Sequence, residues 1–152
     1  MDEIDYKILK CLRANARQKA KEISKRVSLS VSSVLERIKK MEISGVIKKY
    51  TAVLDQKLLG NDIMAIITVR LEHPKYYDEF TEMARQNENI SVCFYLTGDY
   101  DFILKVFAGS TEELELVHRR IKYMRGVSET RTYIALKEIK NEISALPDFP
   151  DE

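Results

Sequence analysis

Residues 23–45, ISKRVSLSVSSVLERIKKMEISG, read as the end of one helix, a tight turn and a second helix. Ile23 and Val27 complete a short apolar stripe begun at Ala20, and Ser28-Leu29-Ser30 interrupts it. Ser30 is a good N-cap for a helix whose apolar side is Val31, Val34, Leu35, Ile38 and Met41, ended by Ser44-Gly45. Upstream, Asp2 can cap a first helix in which Ile4, Ile8, Leu9 and Leu12 recur at spacings of three and four, to about Ala14. The eight or so residues of the middle helix cannot hold a helix alone in water, so it must pack on its neighbours. Three helices with a tight turn before the last predict a helix-turn-helix.

The side of the third helix away from this stripe carries Ser32, Ser33, Glu36, Arg37, Lys39 and Lys40, short hydroxyls first and long cations after. That order suits duplex DNA: small donors and acceptors fit near base edges where the helix start enters the major groove, and Arg or Lys reaches bases or phosphates. Arg17, Lys19, Lys21, Lys25 and Arg26 are placed for phosphates or solvent. Charge agrees. Residues 1–50 hold 13 Lys+Arg against 6 Asp+Glu, while 51–152 hold 12 against 18, so a chain of net charge +1 has a basic head on an acidic body. Such a split points to a polyanion partner for the first third alone.

The stretches Asp5-Tyr6-Lys7-Ile8-Leu9, Ile23 to Ser30, Val34 to Glu42 and Gly45-Val46-Ile47-Lys48-Lys49-Tyr50 resemble the conserved blocks of the leucine-responsive/asparagine-responsive (Lrp/AsnC) transcription regulators. Ser28 stands where that family usually has Gly, a cost to the turn if the backbone there needs positive φ. The resemblance extends to about Lys140 and implies dimers that assemble further, often to octamers.

Val46 to Leu54 reads as extended, and Asp55 to Gly60 as a linker. Ile63 to Leu71 is a strand, apolar on most of both faces and ended by His73-Pro74. Tyr77, Phe80 and Ala84 form a helical stripe to about Gln86. Ser91 to Thr97 and Asp101 to Ala108 are strands around Gly98-Asp99-Tyr100. Thr111 to Tyr123 is a second helix, with Leu114, Val117 and Ile121 inward, and Ser128 to Ile139 a last strand. The order βαββαβ predicts a ferredoxin-like antiparallel sheet with both helices on one face. The expected α+β architecture is a winged helix-turn-helix over 1–50, a linker over 51–61, a ferredoxin-like effector-binding and oligomerisation domain over 62–140, and a tail over 141–152. With both sheet faces apolar, the bare one should be covered by a second copy, which would also present two recognition helices to two half-sites.

Leu96 to Lys105 and Glu129 to Ile134 resemble the family's sensing blocks. Gly98 lets backbone N–H groups approach a ligand carboxylate, and Asp99 or Asp101 can pair with an ammonium, the two needs of a zwitterionic amino acid. Gly-Asp is also an ordinary turn dipeptide. The resemblance carries effector roles onto Gly98, Asp99, Tyr100 and Asp101, and extends to Thr111, Thr132 and Tyr133. In the family the pocket forms between dimers, so these residues need not converge in one subunit.

Some haem-pathway decarboxylases resemble the same two-domain architecture, but the chain shows no nucleophile–base pair, metal-ligand spacing or phosphate loop. His73 and His118 are its only histidines, and Cys11 and Cys93 lie far apart and read as small buried hydrophobes. The expectation is a non-enzymatic, cytoplasmic regulator with no metal, cofactor or membrane partner. Its partners are double-stranded DNA, itself and a small amino acid.

Overall fold

The first helix, α1 (Glu3–Ala14), starts where Asp2 and Asp5 cap each other: the Asp5 N–H donates to Asp2 Oδ1 at 2.9 Å and the Asp2 N–H to Asp5 Oδ2 at 3.0 Å. This is a capping box with Asp at its third position. The next two helices are α2 (Ala20–Val27) and α3 (Val31–Ile43), the latter capped by the Ser30 hydroxyl, which accepts the Ser33 N–H at 3.1 Å. Ile8, Ile23 and Val34 meet with no exposed surface at the centre of the three-helix cluster. Cys11 is buried there too.

Ser28 ends α2 with φ 55° and ψ 41°, the only non-glycine residue with positive φ among the described residues. The Lrp/AsnC glycine therefore answers a real backbone demand, which this chain meets with a serine.

The computed structural model describes residues 1–149. Its first unit is Met1–Val53 together with residues 140–149, and its second is Leu54–Ile139. Residues 141–149 of the expected tail, and Lys140 before them, pack with the first unit; the last three residues of that tail, Pro150 to Glu152, lie outside the described residues. Val46 to Leu54, expected to be extended, forms no strand, and among the described residues the helix-turn-helix unit has no strand to act as the expected wing.

The second unit contains β1 (Ile63–Leu71), α4 (Tyr77–Gln86), β2 (Ile90–Tyr95), β3 (Phe102–Ala108), α5 (Thr111–Lys122) and β4 (Val127–Ile134). The strands pair antiparallel in the order β2-β3-β1-β4, a ferredoxin-like sheet. Ala65, Ile67 and Val69 of β1 oppose Val106, Leu104 and Phe102 of β3, and these six pack with Phe80, Ala84, Leu114, Val117 and Ile121 into the core beneath α4 and α5. Met64, Ile66 and Thr68, opposite Phe107, Lys105 and Ile103, alternate onto the other face and are only half-buried.

Two expected strand ends move. β2 stops at Tyr95, because the Leu96 N–H turns to the Asp101 carbonyl at 2.7 Å and closes the hairpin. β4 stops at Ile134 instead of Ile139: its last rung is the Ala135 N–H on the Met64 carbonyl at 2.9 Å, and β1 offers no further partner beyond its first residues. Cys93 is exposed on the edge strand β2, contrary to the expectation of burial.

Ser28→Gly is expected to stabilise the chain by about 0.5–1 kcal/mol, relief of the left-handed strain being partly offset by the greater chain entropy of glycine. Thermal or urea unfolding checks this; an unchanged or lower midpoint would show that the serine is unstrained.

Candidate nucleic-acid interface and effector site

The outward face of α3 begins with a hydroxyl trio. Ser30 Oγ lies 2.9 Å from Ser32 Oγ and 2.8 Å from Ser33 Oγ, so the three share protons at the positive end of the helix. Glu36 and Lys40 pair along the helix at 2.8 Å, the pairing that holds the Glu36 carboxyl below its usual range, and Lys39 is exposed beside them. Arg17 and Lys19 are exposed in and after the α1–α2 turn.

Arg37 does not join this face as an open cation. Its Nη1 donates to Asp5 Oδ1 at 2.7 Å and to Asp2 Oδ2 at 2.8 Å, tying α3 to the capped start of α1. The hydrogen bonds that Arg37 donates to Asp5 and Asp2 raise its pKa, and Asp2 is held below 3.8, first by the Asp5 N–H and then by Arg37. The guanidinium expected to read a base or phosphate is thus a brace on the recognition helix. Leu35, expected in the core, is instead 53% exposed. The buried positions Val34 and Met41, with half-buried Ile38 between them, keep the three-and-four spacing; Leu35 lies one residue, a 100° rotation, off that line. Tyr50 donates to Glu42 Oε1 at 2.8 Å, and burial followed by this bond pushes its phenol up to about 12.

At the β2–β3 turn Gly98 has φ 127° and nothing within 4 Å of where a Cβ would stand, so the backbone is open to a ligand. Asp101 is committed inward: its Oδ2 accepts the Leu71 N–H at 2.7 Å and its own N–H donates to the Val69 carbonyl at 2.9 Å. Asp99 is exposed, and its carboxylate has no hydrogen-bond partner among the described residues. Tyr100 lies against two cations, Arg70 at 5.0 Å and Arg131 at 5.4 Å from the ring centroid, and donates its hydroxyl to Glu129 Oε1 at 2.8 Å. Burial first, then that bond, raises the Tyr100 pKa; the same bond is the first cause of a lowered Glu129. Arg70 completes the cluster through Nε to the Asp99 carbonyl at 2.6 Å and Nη1 to Glu129 at 3.0 Å. Arg70 and Arg131 escape sequence reading because nothing in a strand pattern says which exposed cation a turn will fold onto.

Of the remaining expected effector residues, Tyr133 reaches this cluster through Arg131, which covers Tyr100, whereas Thr111 and Thr132 do not converge on the turn. Thr111 begins α5 beyond the far end of β3, roughly 20 Å along the strand from the turn. Thr132 opposes Ile67 on the helix-covered side, while its neighbour Tyr133 opposes Ile66 on the open side.

Residues 1–42 match the AsnC-type helix-turn-helix domain and residues 64–145 the Lrp/AsnC ligand binding domain. The chain is 40% identical to the HTH-type transcriptional regulator FL11 of Pyrococcus horikoshii, over 97% of this chain and 96% of that one. It is 35% identical to the leucine-responsive regulatory protein of Haemophilus influenzae, over 92% and 86%. Its fold is similar to that of a Neisseria meningitidis transcriptional regulator solved as an L-methionine complex, with TM-score 0.90, 30% identity and coverage of 99% and 96%.

Arg37→Ala is expected to lower the thermal midpoint at neutral pH by loosening α3 from α1. Because the folded-state pKa of Asp2 is depressed, the part of the tie that depends on its charge is present above 3.8 and is lost as pH falls through the depressed value. Wild-type and variant midpoints should therefore draw together below about pH 4. A gap that stays constant down the pH series would remove the ion pair as its cause.

Proposed function

The chain belongs to the Lrp/AsnC family of transcriptional regulators, and from that premise we propose how it works: α3 reads duplex DNA, and a small amino acid at the 98–101 turn sets assembly or DNA affinity. The observation that carries the first half is an outward α3 face of hydroxyls and lysines on a unit whose residues 1–53 carry net charge +7. Ser30, Ser32 and Ser33 meet base edges or phosphate at the helix start, and Leu35 offers an apolar contact to a thymine methyl. Glu36, Lys39 and Lys40 follow along the groove, and Arg17 and Lys19 hold phosphates. Arg37 positions the helix from behind.

The second half rests on the turn. Open space at Gly98 admits a carboxylate to backbone N–H groups, and the exposed Asp99 takes the ammonium, while Asp101 and Tyr100 keep the turn in shape. The methionine held by the Neisseria regulator supports an amino acid of that kind as effector. Tyr133, on the open face beside Arg131, extends the cluster around Tyr100, and Thr132, on the helix-covered side, meets only ligand bound by another subunit. The half-buried apolar face of β1 and β3 is the surface for a second copy, with octamers as the larger assembly. An effector that binds one assembly better than another shifts the balance by that difference alone. The chain acts in the cytoplasm by regulation rather than catalysis; among the described residues no helix is long and apolar enough to cross a membrane.

Fluorescence-anisotropy titration of duplex DNA should show affinity falling steeply with salt. Lys39→Ala with Lys40→Ala should weaken binding across sequences and flatten that slope by about two. A variant that binds as tightly as wild type would take α3 off the DNA. Calorimetry with the twenty amino acids should find a ligand that Asp99→Asn loses while the fold and assembly stand. If none binds, or Asp99→Asn binds unchanged, the turn is not the effector site.

A further inference from the structure

The outer face of α1 takes no part in the three-helix core or in the α3 surface, yet it is occupied. Tyr6 stands edge-on to Phe149, ring centroids 5.2 Å apart at an interplanar angle of 77°. One turn further on, Lys10 Nζ meets Asp148 Oδ1 at 2.6 Å. Tyr6 and Lys10 are four residues apart and so stack on one side of the helix, and adjacent residues of the C-terminal segment fill both places. Leu146 and Phe149 are half-buried in a stretch otherwise exposed.

Charge makes the pairing directional. Residues 141–152 contain four acidic residues, Glu142, Asp148, Asp151 and Glu152, and no Lys or Arg, against net +7 for residues 1–53. We propose that the C-terminal segment is an intramolecular strap and counter-charge for the DNA-binding unit, docked on the outer face of α1 through Asp148 and Phe149. The Asp148 side chain is 92% exposed, so its ion pair is screened by salt and the strap is weak enough to open. A docked acidic segment lowers the positive potential that draws a polyanion to this unit, and ionic strength that releases the strap also screens its effect. The docking itself is independent of the DNA reading; only the counter-charge role rests on it.

The chain has no tryptophan, so Phe149→Trp places a single indole reporter at the contact. In the full-length protein acrylamide should quench this indole weakly. Adding Lys10→Glu should raise quenching about twofold or more, and adding Asp148→Lys to that pair should restore protection, since reversing both charges rebuilds the ion pair. Equal quenching in all three backgrounds, or failure of the reversed pair to restore it, overturns the docking. For the counter-charge role, a chain ending at Leu146 should bind a random-sequence duplex several-fold more tightly than the full chain at low salt, with the difference vanishing at about 0.5 M. Should the shortened chain fail to fold, full-length Asp148→Asn with Phe149→Ala makes the same comparison. Equal affinity at low salt overturns the counter-charge role. Loss of DNA binding by both the full and the altered chain would instead sink the DNA reading, leaving the fluorescence result standing.

Discussion

Side chains in a strand alternate between two faces, and a sheet of four strands in so short a unit has only two helices with which to cover them. Both go to one side. Ala65, Ile67 and Val69 with their partners on β3 then vanish from solvent, while Met64, Ile66, Ile103 and Phe107 are left half-covered on the other. The rest of the second unit follows from that allocation. The hairpin that carries Gly98 to Asp101 projects from the end of the sheet, and its shape is held by Asp101 on the β1 backbone and by Tyr100 between Arg70 and Arg131. Thr68 Oγ1, buried on the same open face with no hydrogen-bond partner among the described residues, is a polar cost that the single chain leaves standing.

The first unit is organised by a different rule: short helices must be tied at their ends. α1 is capped by Asp2 and Asp5, and the same two carboxylates hold Arg37 of α3, so one cluster fixes both the start of the first helix and the angle at which the third is offered. The hydroxyls of Ser30, Ser32 and Ser33 and the lysines of α3 face outward from that support. On one helix, Arg37 is committed to holding position while Lys39 and Lys40 stay exposed.

Local signals carried most of the fold. The caps at Asp2 and Ser30, the three-and-four stripes of α1 and α2, and the period-two alternation of β1 are each set by neighbours in sequence, and each is found where the pattern puts it. The positive φ at Ser28 was legible through a glycine expected in its place. What escaped was set by distance. Arg37 meets carboxylates 32 and 35 residues away, and β4 ends where β1 runs out. Leu35 passes for core on hydrophobicity alone, because a one-residue rotation separates a buried from an open position on a helix. At the β2–β3 turn the motif marks the glycine and carboxylates but not which carboxylate the β1 backbone captures.

The contact between Lys10 and Asp148 spans 138 residues, nearly the whole chain. Synthesis at about 5–20 residues per second puts roughly seven to thirty seconds between the appearance of its two halves. The three short helices have only local contacts to make and close within that interval; the clasp on α1 has to wait for Asp148 and Phe149 to leave the ribosome. The DNA-binding unit is therefore born unstrapped, with its full basic charge exposed beside the polyanionic RNA of the machine that makes it.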